Sequence, residues 1–431
     1  MVPRSPAAAQ RSRPALAHAP AAHNPRLRRH CNQRQTCQRT VPIPEATAAR
    51  DASTPAYSQP ASGHSPTVSL PAQRPAPMPT DGSRPMRRAA WNADRTLSVH
   101  DDPQRAPGEG EVRVQVVNAG ICGSDLHWYR GDFEPIAMRT PGHEIGGIVA
   151  AVGPGVDHVQ EGDVVGVEPL LRCGNCGYCA SGHYNQCQVA GGLIGIAVDG
   201  GMAQDVFAPA PAVFKAPPNV DGEVAAIAEP LACGVHGYNM ATLSQGETVL
   251  VIGAGTIGLT AQLAAQAAGA NVIVLARHPH QQEAARNLGA AEVIGEDEAG
   301  QQRLKELTDD DAIDVVAECV GGHADTIRQS VDVVRRLGRV IVLGVFAIDN
   351  AGFNPLTLLG KEITMVGAVT YGAIGGRAPD YQQALEVLSG CTEEARSLIT
   401  HRYGLDGINE AFDTALDKSS KSIKVHITPN A

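Results

Sequence analysis

The sequence predicts an α/β protein centred on a parallel, doubly wound sheet. Two observations carry this. From Thr248 the chain reads TVLVIGAGTIGLTAQLAAQAAGANVIVLAR: a short apolar strand, a Gly-rich turn, a helix rich in Ala and Leu, and a second strand at Asn271–Leu275. Further short apolar strands stand at Asp314–Ala317, Val340–Leu343 and Ile363–Val366, separated by helical stretches. Strands alternating with helices build a parallel sheet covered on both faces.

The turn after the first strand holds Gly253, Gly255 and Gly258 in a G-x-G-x-x-G spacing, with Thr256 and Ile257 between them. Glycine permits the tight turn and close backbone approach, and the helix N-terminus that follows receives a pyrophosphate. The second strand decides which dinucleotide. Enzymes that use NAD carry an acid there, about twenty residues beyond the glycines, for the ribose 2′-hydroxyl. Here the strand ends in Ala276 and Arg277, and the nearest downstream acid is Glu283. Alanine leaves room for a 2′-phosphate and a guanidinium can pair with it, so NADP(H) is expected over NAD(H). His278 and His280 add positive charge at lower pH. The alternative is that Arg277 is a solvated loop arginine and both cofactors are accepted.

Charge is unevenly placed along the 431 residues. Residues 1–85 hold 15 of the 30 prolines, 11 arginines, no lysine and three acids (Glu45, Asp51, Asp81), a net +8; with −10 overall, the remaining 346 residues carry −18. The leader has no sustained apolar periodicity, so it is expected to be disordered. It resembles a transit peptide in its arginines but not in its prolines, and the simpler reading is an extension ahead of a start at Met86. The chain shows neither a secretory h-region nor an apolar run of membrane-spanning length. The acidic body argues against nucleic acid. A cytoplasmic setting follows.

In such a setting disulfides are rare, which sharpens the reading of RCGNCGYCASGHYNQC, residues 172–187. Cys173, Cys176, Cys179 and Cys187 stand at C-x2-C-x2-C-x7-C among turn-forming Gly and Asn. Four thiolates close a tetrahedral shell around zinc and leave no position open for chemistry. A redox pair needs only two cysteines, and the spacing departs from the ferredoxin run of an iron–sulfur protein. A zinc ribbon for nucleic acid is disfavoured by the acidic surroundings. Structural zinc is the expectation. Cys233, Cys319 and Cys391 lack any motif and read as small hydrophobes; Cys31 and Cys37 fall in the leader.

Upstream lie GICGSDLHWY, residues 120–129, and TPGHEIGG, residues 140–147. Cys122, His143 and Glu144 offer a soft, a borderline and a hard ligand. A mixed set with a vacant position describes a catalytic zinc.

Taken in order, GICGSDLH, PGHE, the four-cysteine lobe, AEPLA at 228–232, GAGTIG and THRYGLDGINEAF at 400–412 resemble the zinc-dependent medium-chain alcohol and polyol dehydrogenases. The likeness is to the sorbitol, idonate, threonine and butanediol branches, and it covers residues 86–431. It implies a GroES-like, β-rich catalytic domain over 86–230 with the zinc lobe at 172–188. It further implies a Rossmann domain over 231–368 and a C-terminal return, 369–431, to the catalytic domain. By the same resemblance Cys122, His143 and Glu144 are catalytic zinc ligands, and Glu229 of AEPLA is a ligand or lies near the zinc-bound water. Asp125 would orient the histidine ligand from behind. Ser124 and His127 would relay the substrate proton outward.

Two zincs per chain, a nicotinamide cofactor and a small alcohol or ketone substrate follow, with a homodimer or homotetramer by analogy. Trp128 stands where sorbitol-type enzymes carry Tyr, and Thr370 stands before Tyr371 where they carry an arginine. Fewer donors for a polyol make a smaller secondary alcohol, vicinal diol or acyloin as good a candidate as a sugar alcohol. The alternatives are an NAD-linked threonine-type or simple alcohol dehydrogenase, and a non-catalytic zinc- and dinucleotide-binding protein.

Overall fold

The strand that leads into the glycine turn, Thr248–Ile252, lies in the middle of a six-stranded parallel sheet. A computed structural model describes residues 85–347 and 352–431, all within the unit Arg74–Ala431. The expectations for the leader lie outside the described residues. Strand order across the sheet is Glu292–Ile294, Asn271–Leu275, Thr248–Ile252, Val315–Glu318, Arg339–Val342, Thr364–Gly367. The chain works outward on one side and then crosses to the other, so the order reverses beside Thr248–Ile252. This is the doubly wound sheet expected from the sequence. Three expected strands are each displaced by one residue, and Glu292–Ile294 was not anticipated. At three residues on an edge it is too short to show a period.

Both faces of this sheet are buried. Val249, Val251, Val272, Val274 and Ala317 point into one core. Their neighbours Leu250, Ile252, Ile273, Leu275 and Val316 point into another. Alternate residues of a strand face opposite ways, so strands covered on both sides are apolar throughout.

The other half of the protein is β-rich. Its seven-stranded sheet runs Ile399–Tyr403, Lys424–Ile427, Glu111–Gly120, Glu144–Val152, Val164–Val167, Val213–Lys215, with Asp205–Pro209 also paired to Glu111–Gly120. Apart from the parallel pair at the C-terminus, its ladders are antiparallel. The pairings place His426 opposite Gly120 and Gly120 opposite Glu144. Residues some 280 positions apart in sequence thereby become neighbours.

Helix Ala228–Met240 leads from this half to the parallel sheet, packing on helices Thr256–Ala267 and Asp380–Gly390. A second tie is the Thr256 hydroxyl, which donates to Ile423 O at 2.8 Å. Among the described residues no helix is long and apolar enough to cross a membrane.

Candidate active site and metal centres

Cys122 caps the helix Gly123–Arg130, and its backbone N–H donates to Asp125 Oδ2 at 2.9 Å. An acid in the first helical turn is favoured by the helix dipole; here it also turns Asp125 inward, 1 % exposed. His143 and Glu144 open the next strand. Glu144 reaches across its cross-strand partner: a Cβ on Gly120 would stand 1.9 Å from Glu144 Oε2, so only glycine admits this carboxylate.

The ligand atoms of Cys122, His143 and Glu144 all lie within 4.8 Å of one another. Asp125 Oδ1 stands 3.7 Å from His143 Nδ1, just outside hydrogen-bond range, and that nitrogen is buried without a partner. Glu229 begins the helix Ala228–Met240 and is buried. It lies outside the 4.8 Å group, and its Oε1 accepts a hydrogen bond from the Tyr371 hydroxyl at 3.0 Å. Burial pushes the Glu229 carboxyl up to about 7 against the pull of His143, and Glu144 adds to the rise. Burial opposes a charged His143, yet Asp125 and Cys122 outweigh it and lift the imidazole well above its usual value.

Sulfur, nitrogen and oxygen donors converging in a buried pocket, with Asp125 and Glu229 beside them, fit a divalent zinc with a position left for substrate. Ser124 and His127 sit three apart on helix Gly123–Arg130 and so share a face. His127 Nδ1 pairs with Asp132 Oδ2 at 2.7 Å at the rim.

The sequence reading missed the cation of this site. Lys424 is 2 % exposed, donates to Ile121 O at 3.0 Å and lies 2.5 Å from the Glu144 carboxylate. Burial opposes its ammonium, but Glu144 outweighs that and raises its pKa. Nothing local in KSIKVHI marks Lys424 as buried; its partner comes from across the sheet.

The four lobe thiols also converge, their sulfurs within 4.8 Å. All eight described cysteines are free, and Cys173 and Cys179 sulfurs are 3.9 Å apart, far beyond the disulfide bond length of about 2.05 Å. The backbone N–H groups of Cys173 and Ala190 donate to Cys187 Sγ, and that of Cys176 to Cys173 Sγ, each at 3.4 Å. Burial raises the Cys187 thiol, but the donors from Ala190, Cys173 and Val189 prevail and hold it at about 6. The Cys176 thiol is lowered too, whereas burial and the neighbouring Cys176 push Cys179 up to about 12, so the loop favours the metal-binding thiolate form at Cys187 and Cys176. The lobe is moored to the sheet by Glu168, which accepts from the Tyr184 hydroxyl at 2.6 Å and from Arg172 at 2.7 Å. Cys233, Cys319 and Cys391 pack against the core as small hydrophobes.

At the dinucleotide turn Gly253 takes φ +95°, and a Cβ on Gly258 would stand 1.9 Å from Gly253 O. Gly255 caps the helix that begins at Thr256. Ala276 is fully buried, whereas Arg277 is 73 % exposed. The structure supplies an acid that linear spacing did not: Glu296, after the third strand, places Oε2 3.5 Å from Arg277 Nε. His278 and His280 stack at 5.7 Å. Burial, then the charges of His278, Lys421 and Lys418, lower His280.

A GroES-like β domain carrying a mixed-ligand cluster, joined to a doubly wound dinucleotide fold, defines a dehydrogenase of the zinc type. Comparison agrees. Residues 108–218 match the alcohol dehydrogenase GroES-like domain, and residues 256–390 match the zinc-binding dehydrogenase family. A sorbitol dehydrogenase of Halalkalibacterium halodurans is 34 % identical over 337 residues, 77 % of this chain and 96 % of that one. An L-threonine 3-dehydrogenase of Pyrococcus furiosus is 34 % identical over 332 residues, 74 % of this chain and 91 % of that one. Among solved structures, a zinc-binding dehydrogenase from Sinorhizobium meliloti bound to NADP superposes with a TM-score of 0.71 at 28 % identity. The match covers 80 % of this chain and all of that one. The chain belongs to the zinc-dependent medium-chain alcohol and polyol dehydrogenases. It is an oxidoreductase acting on the CH–OH group of its donor with a nicotinamide cofactor.

Proposed function

We propose that the enzyme oxidises a small secondary alcohol, vicinal diol or polyol with NADP+, holding one catalytic and one structural zinc per chain. The observation that carries this is the convergence of Cys122, His143 and Glu144 within 4.8 Å beside Glu229. These three residues would hold the catalytic ion, which supplies Lewis-acid polarisation of the substrate oxygen. Asp125 would hold the His143 ring from behind, with the 3.7 Å gap closing on binding. Glu229, kept in place by Tyr371, would stand on the substrate side. Ser124 and His127 would carry the substrate proton to the rim, where Asp132 steadies the imidazole. Gly253–Gly258 and the helix N-terminus would take the pyrophosphate, and Arg277 the 2′-phosphate. Cys173, Cys176, Cys179 and Cys187 would hold the structural ion.

The strand Thr364–Gly367 is a sheet edge with exposed Leu356 and Leu359 on the preceding helix. An uncovered edge of this kind supports assembly of two chains through the parallel sheet. That none of the eight described cysteines is in a disulfide supports a reducing, cytoplasmic setting. A screen of secondary alcohols, diols, acyloins, sugar acids and polyols with NADP+ and NAD+, followed at the absorbance of the reduced cofactor, tests the proposal. Absence of turnover with every class, in protein carrying two zincs, refutes it.

A further inference from the structure

Tyr371 delivers its buried hydroxyl to Glu229 from a turn that does not hold its shape unaided. Its neighbour Thr370 has φ +54°, a left-handed conformation in which a β-branched residue persists only where its surroundings constrain it. Asp380 supplies a central constraint, at Gly372. This fully buried residue donates its backbone N–H to Gly372 O at 2.8 Å, and its Oδ2 accepts from Gly372 N at 2.8 Å. Both backbone polar groups of Gly372 therefore end on one side chain and its own backbone. The same carboxylate meets His236 Nδ1 at 2.7 Å and accepts from Asn239 Nδ2 at 2.6 Å. His236 lies seven residues beyond Glu229 on helix Ala228–Met240, two turns along the same face. Asp380 thus joins the turn that carries Tyr371 to the helix that carries Glu229. On its far side the turn rests on the four-cysteine lobe: Ala373 N donates to Gly182 O at 2.8 Å and Asn185 Nδ2 to Val369 O at 3.0 Å.

We infer that Asp380 is a positioning residue of the dehydrogenase reaction, acting through Gly372 and Tyr371 on the placement of Glu229. The inference rests on the dehydrogenase reading above. Asp380→Asn keeps the volume but turns one acceptor oxygen into a donor. That donor must face the Gly372 N–H, or else the Asn239 amide N–H, so donor meets donor and the turn relaxes.

The test uses the full-length enzyme as Asp380→Asn, Tyr371→Phe and the double variant. Asp380→Asn should lower kcat/KM for the alcohol about tenfold or more, since small misplacements at a reacting centre are costly. Its dinucleotide affinity, measured without alcohol, should stay within about twofold, because the glycine turn is untouched. In the Tyr371→Phe background the same change should cost less than about twofold, the non-additivity of residues acting in series. A crystal structure of Asp380→Asn should show the Tyr371 hydroxyl out of hydrogen-bond range of Glu229. If Asp380→Asn does not fold, His236→Gln, which leaves the Gly372 bonds in place, should show a smaller loss that also disappears in Tyr371→Phe. Lowered thermal stability with unchanged kcat/KM per folded molecule, multiplying losses in the double variant, or an intact Tyr371–Glu229 contact each overturns the inference. A parent enzyme inert to every alcohol would instead refute the dehydrogenase reading, and the crystal structure would still decide whether Asp380 places Tyr371.

Discussion

Cofactor choice should turn on two residues that face each other across the ends of neighbouring strands. In the proposed assignment Arg277 would pair with a 2′-phosphate, and Glu296 Oε2 stands 3.5 Å from its Nε. A charge-assisted hydrogen bond to phosphate is worth about 1.5–3 kcal/mol. Arg277 is 73 % exposed, so screening favours the lower end, roughly a tenfold contribution to kcat/KM for NADP+. Glu296 is itself 58 % exposed. Exposed pairs of this kind are worth about 0.2–1 kcal/mol, so Glu296→Gln should raise the preference for NADP+ only some 1.4- to 5-fold. Ala276→Asp/Arg277→Leu removes the cation and adds an acid at buried Ala276, where the ribose would lie in the proposed assignment. It should lower the ratio of kcat/KM for NADP+ to NAD+ by well over tenfold. Steady-state kinetics with both cofactors reads the ratio. Thermal stabilisation by 2′,5′-ADP against 5′-AMP reads the phosphate term without turnover. A parent that prefers NAD+, or a double variant with an unaltered ratio, refutes the assignment of Arg277. A Glu296→Gln ratio that falls would show that Glu296 orders Arg277 instead of competing for it.

Cys176→Ser should lower thermal stability and zinc content together, from two ions per chain towards one, because a broken tetrahedral shell unpins the lobe; metal analysis of the purified protein decides. Cys122→Ala and His143→Ala should fold, bind dinucleotide and lose nearly all turnover, while His127→Ala should lose less because water can replace a rim relay. Equal, small losses at all three positions would remove the ion from the reacting centre. In chelator-treated protein, the Cys187 thiolate should contribute stability that is full above the ordinary thiol value near 9 and lost as pH falls through about 6, since its folded pKa is lowered. Unfolding midpoints between pH 9 and 6 should therefore decline in the parent more steeply than in Cys187→Ala.

What the sequence made legible was whatever chemistry is written in consecutive residues. The glycine turn, the lobe cysteines and the Cys122 and His143–Glu144 motifs declare themselves by spacing, and the sheet by alternation of apolar strands with helices. What stayed hidden depends on contacts between distant segments. Glu296 reaches Arg277 only because the third strand lies beside the second. Asp380 sits in an ordinary helical stretch, and its partners His236, Asn239 and Gly372 come from two other segments. Strand ends were misplaced by one residue because the ladders take in polar or small residues, Glu318, Arg339 and Gly367, that an apolar run does not mark.

Lys424 shows the same limit, and it also explains how the pocket can be so acidic. Asp125, Glu144 and Glu229 are each no more than 5 % exposed. Carboxylates taken out of water are tolerated only when paired or when they share a cation. Lys424 answers one of them, and its strand places it there because Lys424–Ile427 lies next to Glu111–Gly120, which lies next to Glu144–Val152. Asp125 turns to the His143 imidazole, which it helps keep protonated, and Glu229 turns to the uncharged Tyr371 hydroxyl. Without an ion the pocket therefore balances its carboxylates with Lys424 and with protons on His143 and Glu229, beside the point where Cys122, His143 and Glu144 converge. A divalent ion at that point would take the place of those protons, and a hydroxyl oxygen drawn to it would stand near Glu229, whose Oε1 is held by the Tyr371 hydroxyl.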